Sequence, residues 1–137
     1  MRLYLDANAI IYAVEGRTDL RDLVLSWTDR AAESKDGVVM TSRVSLSECF
    51  ALPYRRRDYA AIAAMQTFFT GTIELLSVDD SLIDAAAMLH REFSFKTLDA
   101  IHVASAIQAK ADFLLTADAS IYRYTSLGEV RCEAIRF

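Results

Sequence analysis

Four of the nineteen Asp and Glu residues fall where a chain can aim a carboxylate at a shared point. Asp6 closes a short β-prone run, Glu48 lies within an otherwise apolar helical stretch, Asp99 opens an Ala-rich helical stretch, and Asp118 follows the last long apolar run. Carboxylate oxygens suit hard cations such as Mg²⁺ and Mn²⁺, which orient phosphates and activate water. A nuclease of that kind draws its acids from separate elements, because each ion also keeps waters and substrate oxygens as ligands. An ordinary reading stands beside each acid. Asp6 can start a turn or cap a helix, Glu48 can face solvent, Asp99 can complement a helix dipole for about 0.3–1 kcal/mol, and Asp118 can belong to a turn. Taken singly, Glu48 and Asp99 favour the ordinary reading; taken together, strand-end and helix-start acids recur in the order expected of one site.

The elements that must position them follow from periodicity. Arg2–Leu5 reads as a strand ending at Asp6, and Ala7–Val14 as a helix punctuated by Gly16. Leu20, Leu23, Val24, Trp27 and Ala31 form an apolar stripe on a helix over 20–32. Val38–Thr41 is a second strand; Ser42 or Ser45 is expected to cap a helix carrying Leu46, Cys49 and Phe50, with Pro53 closing it. Further helices are expected over 54–69, from Asp79 or Asp80 to about Arg91, over 98–109 with Thr97 as cap, and briefly from Ser120. The remaining strands are Thr72–Ser77, Phe113–Leu115 and about Val130–Ile135. Strands alternating with helices predict an α/β domain with a largely parallel sheet, and such sheets collect function beyond the carboxyl ends of their strands.

The same segments resemble the motifs of PIN-domain proteins. Leu3-Tyr4-Leu5-Asp6-Ala7-Asn8 is similar to the family's opening, Ser45-Leu46-Ser47-Glu48 to the segment bearing its glutamate, and Leu114-Leu115-Thr116-Ala117-Asp118 to its fourth motif. The most specific match is Thr97-Leu98-Asp99-Ala100-Ile101-His102-Val103-Ala104-Ser105-Ala106, which resembles the third acidic motif. Four motifs in order run through nearly the whole chain. The resemblance extends to the VapC-type toxins of toxin–antitoxin pairs. It implies a three-layer α/β/α fold, Mg²⁺- or Mn²⁺-dependent cleavage of RNA, inhibition by a cognate antitoxin and, often, a homodimer. It further implies that Asp6, Glu48, Asp99 and Asp118 form the catalytic, metal-binding set. Ala117 departs from the pattern, standing where many relatives carry Asn or Arg, so the fourth motif contributes less than Asp6 or Asp99.

Around this set, Asn8 is expected to orient Asp6 or a metal-bound water, or else to cap the first helix. Thr116 is expected to hydrogen-bond behind the metal ligands, or simply at a strand end. His102, one turn after Asp99, reads as a satisfied, partly buried histidine rather than a general base. Arg55, Arg56 and Arg57 form the conspicuous basic cluster. They can meet RNA phosphates or an acidic antitoxin segment, against a default reading as a solvated helix start.

Composition sets the outer bounds. With 137 residues, one proline and four glycines, the chain suits one compact domain without linkers. Apolar runs fall short of the roughly 20 residues that span a bilayer, and the start lacks a signal-peptide pattern, so a soluble, cytoplasmic protein is expected. Cys49 and Cys132 lack ligand-like spacing and read as buried free thiols. A net charge of −4 disfavours a nucleic-acid coat protein, but not a nuclease whose metal supplies positive charge. A dehalogenase-like phosphatase wants a second acid two positions after Asp6, where Asn8 stands. No Gly-rich phosphate cradle ending in Lys-Ser or Lys-Thr occurs, and the acid order of a receiver-type signalling domain is absent. The competing readings are a degenerate PIN module that binds RNA or protein without catalysis, and a housekeeping PIN nuclease.

Overall fold

The computed structural model describes residues 1–71 and 73–136. Its elements run β1 (Arg2–Leu5), α1 (Ala7–Glu15), α2 (Thr18–Glu33), β2 (Val38–Ser42), α3 (Val44–Arg56), α4 (Tyr59–Phe69), β3 (Ile73–Leu76), α5 (Asp80–Phe93), α6 (Thr97–Gln108), β4 (Phe113–Thr116), α7 (Ala119–Tyr122), β5 (Ser126–Leu127) and β6 (Val130–Ala134). The sheet order is β3-β2-β1-β4-β6-β5. All pairings are parallel except β5 with β6. The expected mostly parallel α/β sheet flanked by helices is what the chain forms.

Central strands buried on both faces need apolar side chains at every position, and Leu3, Tyr4 and Leu5 of β1 are all fully buried. Alternation sends Tyr4, with Met40 and Leu114 of its neighbours, into a core with α5, α6 and α7. Leu3, Leu5 and Leu115 point into the opposite core, built with α1 to α4. The stripe expected on α2, Leu20, Leu23, Val24, Trp27 and Ala31, packs in that second core. By contrast α6 has Ala100 to Ala106 buried throughout. A helix buried on all sides needs the small side chains this segment supplies, which places Asp99 on a rigid support.

Several expected boundaries shift. Proline removes a helical hydrogen bond, so closure at Pro53 was the expectation. Instead α3 passes through Pro53, which is buried, and ends at Arg57 in the left-handed region with φ 52°. The Pro53 carbonyl accepts from Asp58 N–H, and α4 therefore starts at Tyr59, capped by Asp58, rather than at Tyr54. Arg55, Arg56 and Arg57 thus sit at a helix end and not a helix start. Ser45 lies inside α3, and Ser42 Oγ accepts from Val44 N–H at 3.2 Å without being the cap residue, which is Arg43. Likewise Lys96, not Thr97, precedes α6 and makes no side-chain cap bond, because Thr97 already has helical geometry. Of the expected third strand, Thr72 lies outside the described residues and β3 covers Ile73–Leu76. The strand β5 was not anticipated; it turns into β6 through a two-residue hairpin with Gly128 at φ 61°.

Gly37 follows α2 in a reversal so close that an added Cβ would stand 1.7 Å from the Ala31 carbonyl oxygen. Gly37→Ala is expected to cost about 2 kcal/mol, in the upper part of the usual range for single substitutions, read as a lower urea midpoint at unchanged slope.

Candidate active site

Running outward from β1, the chain builds β2 and β3 on one side and then crosses to β4 on the other. That makes the gap between the ends of β1 and β4 a topological switch point, where open α/β sheets bind ligands. Asp6 leaves β1 there, and Thr116 to Asp118 leave β4 beside it, with Asp6 N–H donating to the Leu115 carbonyl at 3.3 Å.

Asp6 is buried and performs two structural duties. Its Oδ1 accepts from Ala9 N–H at 2.9 Å, capping α1, and its Oδ2 accepts from the Thr116 hydroxyl. Thr116 in turn accepts from Asp118 N–H at 3.0 Å, so one hydrogen-bonded chain ties the two strand ends together. Thr116 was expected to lie behind the site acids, and its hydroxyl does contact Asp6. Because Asp6 caps α1, that alternative role for Asn8 falls away; Asn8 is exposed in the first turn. Burial pushes the Asp6 carboxyl above its ordinary value, outweighing the bonds from Thr116 and Ala9 that pull it down.

Asp118 is both a cap and a neighbour of Asp99. Its Oδ1 accepts from Ser120 N–H at 2.9 Å at the start of α7, and its carboxyl abuts that of Asp99 in the first turn of α6. Burial pushes the Asp99 carboxyl up to about 6, and the hydrogen bond and negative charge of Asp118 add to the rise. Burial acts to raise Asp118 as well, but Ser120, Asp99 and the nearby Lys96 together hold it below its ordinary value. Two neighbouring carboxyls cannot both ionise cheaply, so Asp118 ionises first and Asp99 only at higher pH. Lys96, absent from the sequence reading, could have been suspected from its place three residues before Asp99.

Glu48 arrives from α3, which is anchored at its base by the Thr41 hydroxyl bridging the Leu5 carbonyl and Ser45, both at 2.7 Å. Its Oε1 meets His102 Nε2 at 2.7 Å, and its side chain is 26% exposed. His102 is buried and satisfied, as the sequence suggested. The Arg cluster stands apart from this acid: Arg55 is two turns further along α3, about 10 Å by helical rise, and all three arginines are exposed. Both thiols are buried and free, and burial pushes Cys49 up to about 12 and Cys132 up to about 11, which keeps them protonated.

Among the described residues no three His, Cys, Asp or Glu side chains converge as a ready-made ion cage. An all-oxygen set of this kind nevertheless fits Mg²⁺, which retains waters and binds through one or two carboxylates at a time. The raised carboxyl of Asp99 beside Asp118 marks the point where a positive charge would relieve repulsion.

The PIN domain model matches residues 3–127. The chain belongs to the PIN-domain family. Among solved structures, this PIN chain is similar to VapBC2 from Rickettsia felis bound to a promoter DNA fragment, at 16% identity and TM-score 0.78, covering 98% of each chain. It is similar to DNA-bound VapBC from Salmonella typhimurium, at 15% identity and TM-score 0.70, covering 99% of each chain. A third is VapC20 of Mycobacterium tuberculosis, described as a Sarcin-Ricin loop cleaving toxin, at 22% identity and TM-score 0.67, covering 94% of this chain and 98% of that one. No functionally curated protein matches the sequence. Among the described residues no helix is long and apolar enough to cross a membrane.

Proposed function

We propose that this PIN protein is a divalent-metal-dependent endoribonuclease, acting as the toxin of a type II toxin–antitoxin pair. The observation that carries the reading is the placement of Asp6 and Asp118 at the ends of β1 and β4 beside the switch point, with Asp99 near enough to both for their negative charges to raise its carboxyl. In this reading Asp6, Glu48, Asp99 and Asp118 hold Mg²⁺ or Mn²⁺, and Thr116 and Asn8 keep Asp6 and the adjoining water in place. An ion held there would lower the pKa of a coordinated water and offset charge developing on the phosphodiester. A cation there would favour the ionised form of Asp99, while Asp6 is held between the α1 amide and Thr116. Arg55, Arg56 and Arg57, solvated at the end of α3, are assigned to RNA phosphates or an acidic segment of the antitoxin. The toxin assignment draws on the likeness to VapBC structures, and with it come an antitoxin partner and a homodimer.

Cleavage of a mixed RNA pool tests the activity. Product is expected with Mg²⁺ or Mn²⁺, none with excess chelator, and none from Asp99→Asn. Equal cleavage by wild type and Asp99→Asn would sink the site. Growth arrest on expression, relieved by co-expressing a small DNA-binding protein from the neighbouring reading frame, tests the toxin role. A second reading, a PIN module that binds without cutting, has on its side the lack of a preformed ion cage among the described residues. Metal binding without cleavage of any RNA would favour it.

A further inference from the structure

Tyr4 lies wholly buried in the middle of β1, and a buried phenol must place its hydroxyl against a partner. It finds two. The oxygen accepts from Ser42 N–H at 3.2 Å, and it stands 2.7 Å from His102 Nδ1 with the rings edge to face. Burial holds the Tyr4 hydroxyl far above its ordinary pKa, so it keeps a proton to donate. Glu48 Oε1, a carboxylate oxygen, can only accept from His102 Nε2, which leaves Nδ1 as the acceptor for the Tyr4 proton. With Nδ1 accepting, the ring proton resides on Nε2, which faces Glu48 Oε1 at 2.7 Å. A single directed chain thus runs from the Ser42 amide through Tyr4 and His102 to Glu48, crossing β2, β1, α6 and α3. Its inner part is sealed, the His102 side chain being 3% exposed, and its outer end opens at Glu48.

We propose that His102 is a positioning residue for Glu48: with its tautomer set by Tyr4, it fixes the glutamate carboxylate in the orientation needed to receive a divalent cation. The inference rests on the assignment of Glu48 to the metal site. Glu48 sits on α3, whereas Asp99 sits on α6 only three residues before His102. The hydrogen bond from His102 therefore ties the helix carrying Asp99 to the side chain of Glu48 on the other helix. A merely packed histidine would be replaceable by an apolar side chain of similar size without consequence for metal. Hydrogen-bonded partners of ligating carboxylates carry about 10–100-fold in metal affinity.

The test uses the full chain and Mn²⁺ alone, followed by calorimetric titration, together with ¹H–¹⁵N spectra of the imidazoles. Only two histidines, His90 and His102, need to be assigned. Metal-free wild type is expected to show the Nε2–H tautomer at His102. His102→Leu should weaken Mn²⁺ binding at least about 10-fold, and His102→Gln, whose amide nitrogen can reach toward Glu48, should recover much of the loss. Joining His102→Leu to Glu48→Gln should add nothing to Glu48→Gln alone, since the histidine acts through the glutamate. Should His102→Leu fail to fold, Tyr4→Phe carries the test, with loss of the tautomer preference and weaker Mn²⁺ binding expected. An Nδ1–H tautomer, or wild-type Mn²⁺ affinity in a folded His102→Leu, would overturn the proposal. So would a double variant clearly worse than Glu48→Gln, or a Glu48→Gln that binds Mn²⁺ like wild type. Wild type that shows the expected pattern but cuts no RNA would leave the positioning role standing and sink only the endoribonuclease reading.

Discussion

Asp6→Asn is expected to reduce metal-dependent RNA cleavage about 1,000-fold, the equivalent of about 4 kcal/mol of lost charge stabilisation, while the protein stays folded. The two halves of this result have separate causes. Asp6 caps α1 through Oδ1 and receives the Thr116 hydroxyl at Oδ2. Asparagine caps a helix about as well as aspartate. Its amide can also donate to Thr116 Oγ1, whose second lone pair remains after the bond from Asp118 N–H. Burial already disfavours the charge on Asp6, so a neutral side chain relieves a cost of folding rather than adding one. Asp6→Ala makes the contrast: it removes the cap, worth about 1 kcal/mol, and strands both the Ala9 amide and the Thr116 hydroxyl. Melting temperature should therefore separate Ala from Asn while activity does not. Substantial cleavage by Asp6→Asn would mean that Asp6 is a cap and nothing more.

The double duty of Asp6 also explains how the sequence could and could not be read. Periodicity located the strands because Leu3-Tyr4-Leu5 and Phe113-Leu114-Leu115 are apolar without alternation, as doubly covered parallel strands must be. Acids at their ends were then legible as a group, and the structure gives Asp6 and Asp118 each a capping role at the start of a helix. Helix stops were less legible. Two of them, after α3 and after α5, fall on left-handed Arg57 and Ser94, positions where glycine is the usual signal. Pro53 gave a stop signal that tertiary packing overrode, since its ring is buried in the fold. Least legible was Tyr4. As a residue type it fits a buried strand with or without a hydrogen-bonding role, and its partner His102 is 98 residues away along the chain.

Asp99 and Asp118 make the second large prediction, one whose sign inverts with metal. Without metal, the folded-state carboxyl of Asp99 lies at about 6, against an ordinary 3.8. Between those values the folded chain binds more protons than the unfolded one, so stability falls as pH rises through that window and stays lower above it. Asp99→Asn removes the effect and should melt higher than wild type at pH 7. Asp99 is only half-buried, so solvent screening reduces the gain to about 1 kcal/mol, or about 3 °C for a chain of this size. Asp118→Asn should shrink the pH slope without erasing it, because burial contributes more than the Asp118 charge. Saturating Mn²⁺ should reverse the order: binding to the folded state alone raises its stability by about 2.7 kcal/mol at 100 times Kd, and wild type gains this while Asp99→Asn loses most of it. The same competition predicts that Mn²⁺ protects wild type less at pH 5 than at pH 7, because a proton on Asp99 must leave before the ion can bind. Thermal melts of both proteins at the two pH values, with and without Mn²⁺, check all of these signs together. A wild type that outmelts Asp99→Asn at pH 7 in chelator would show that the two carboxyls do not repel, and would remove the electrostatic reason for a cation to bind there.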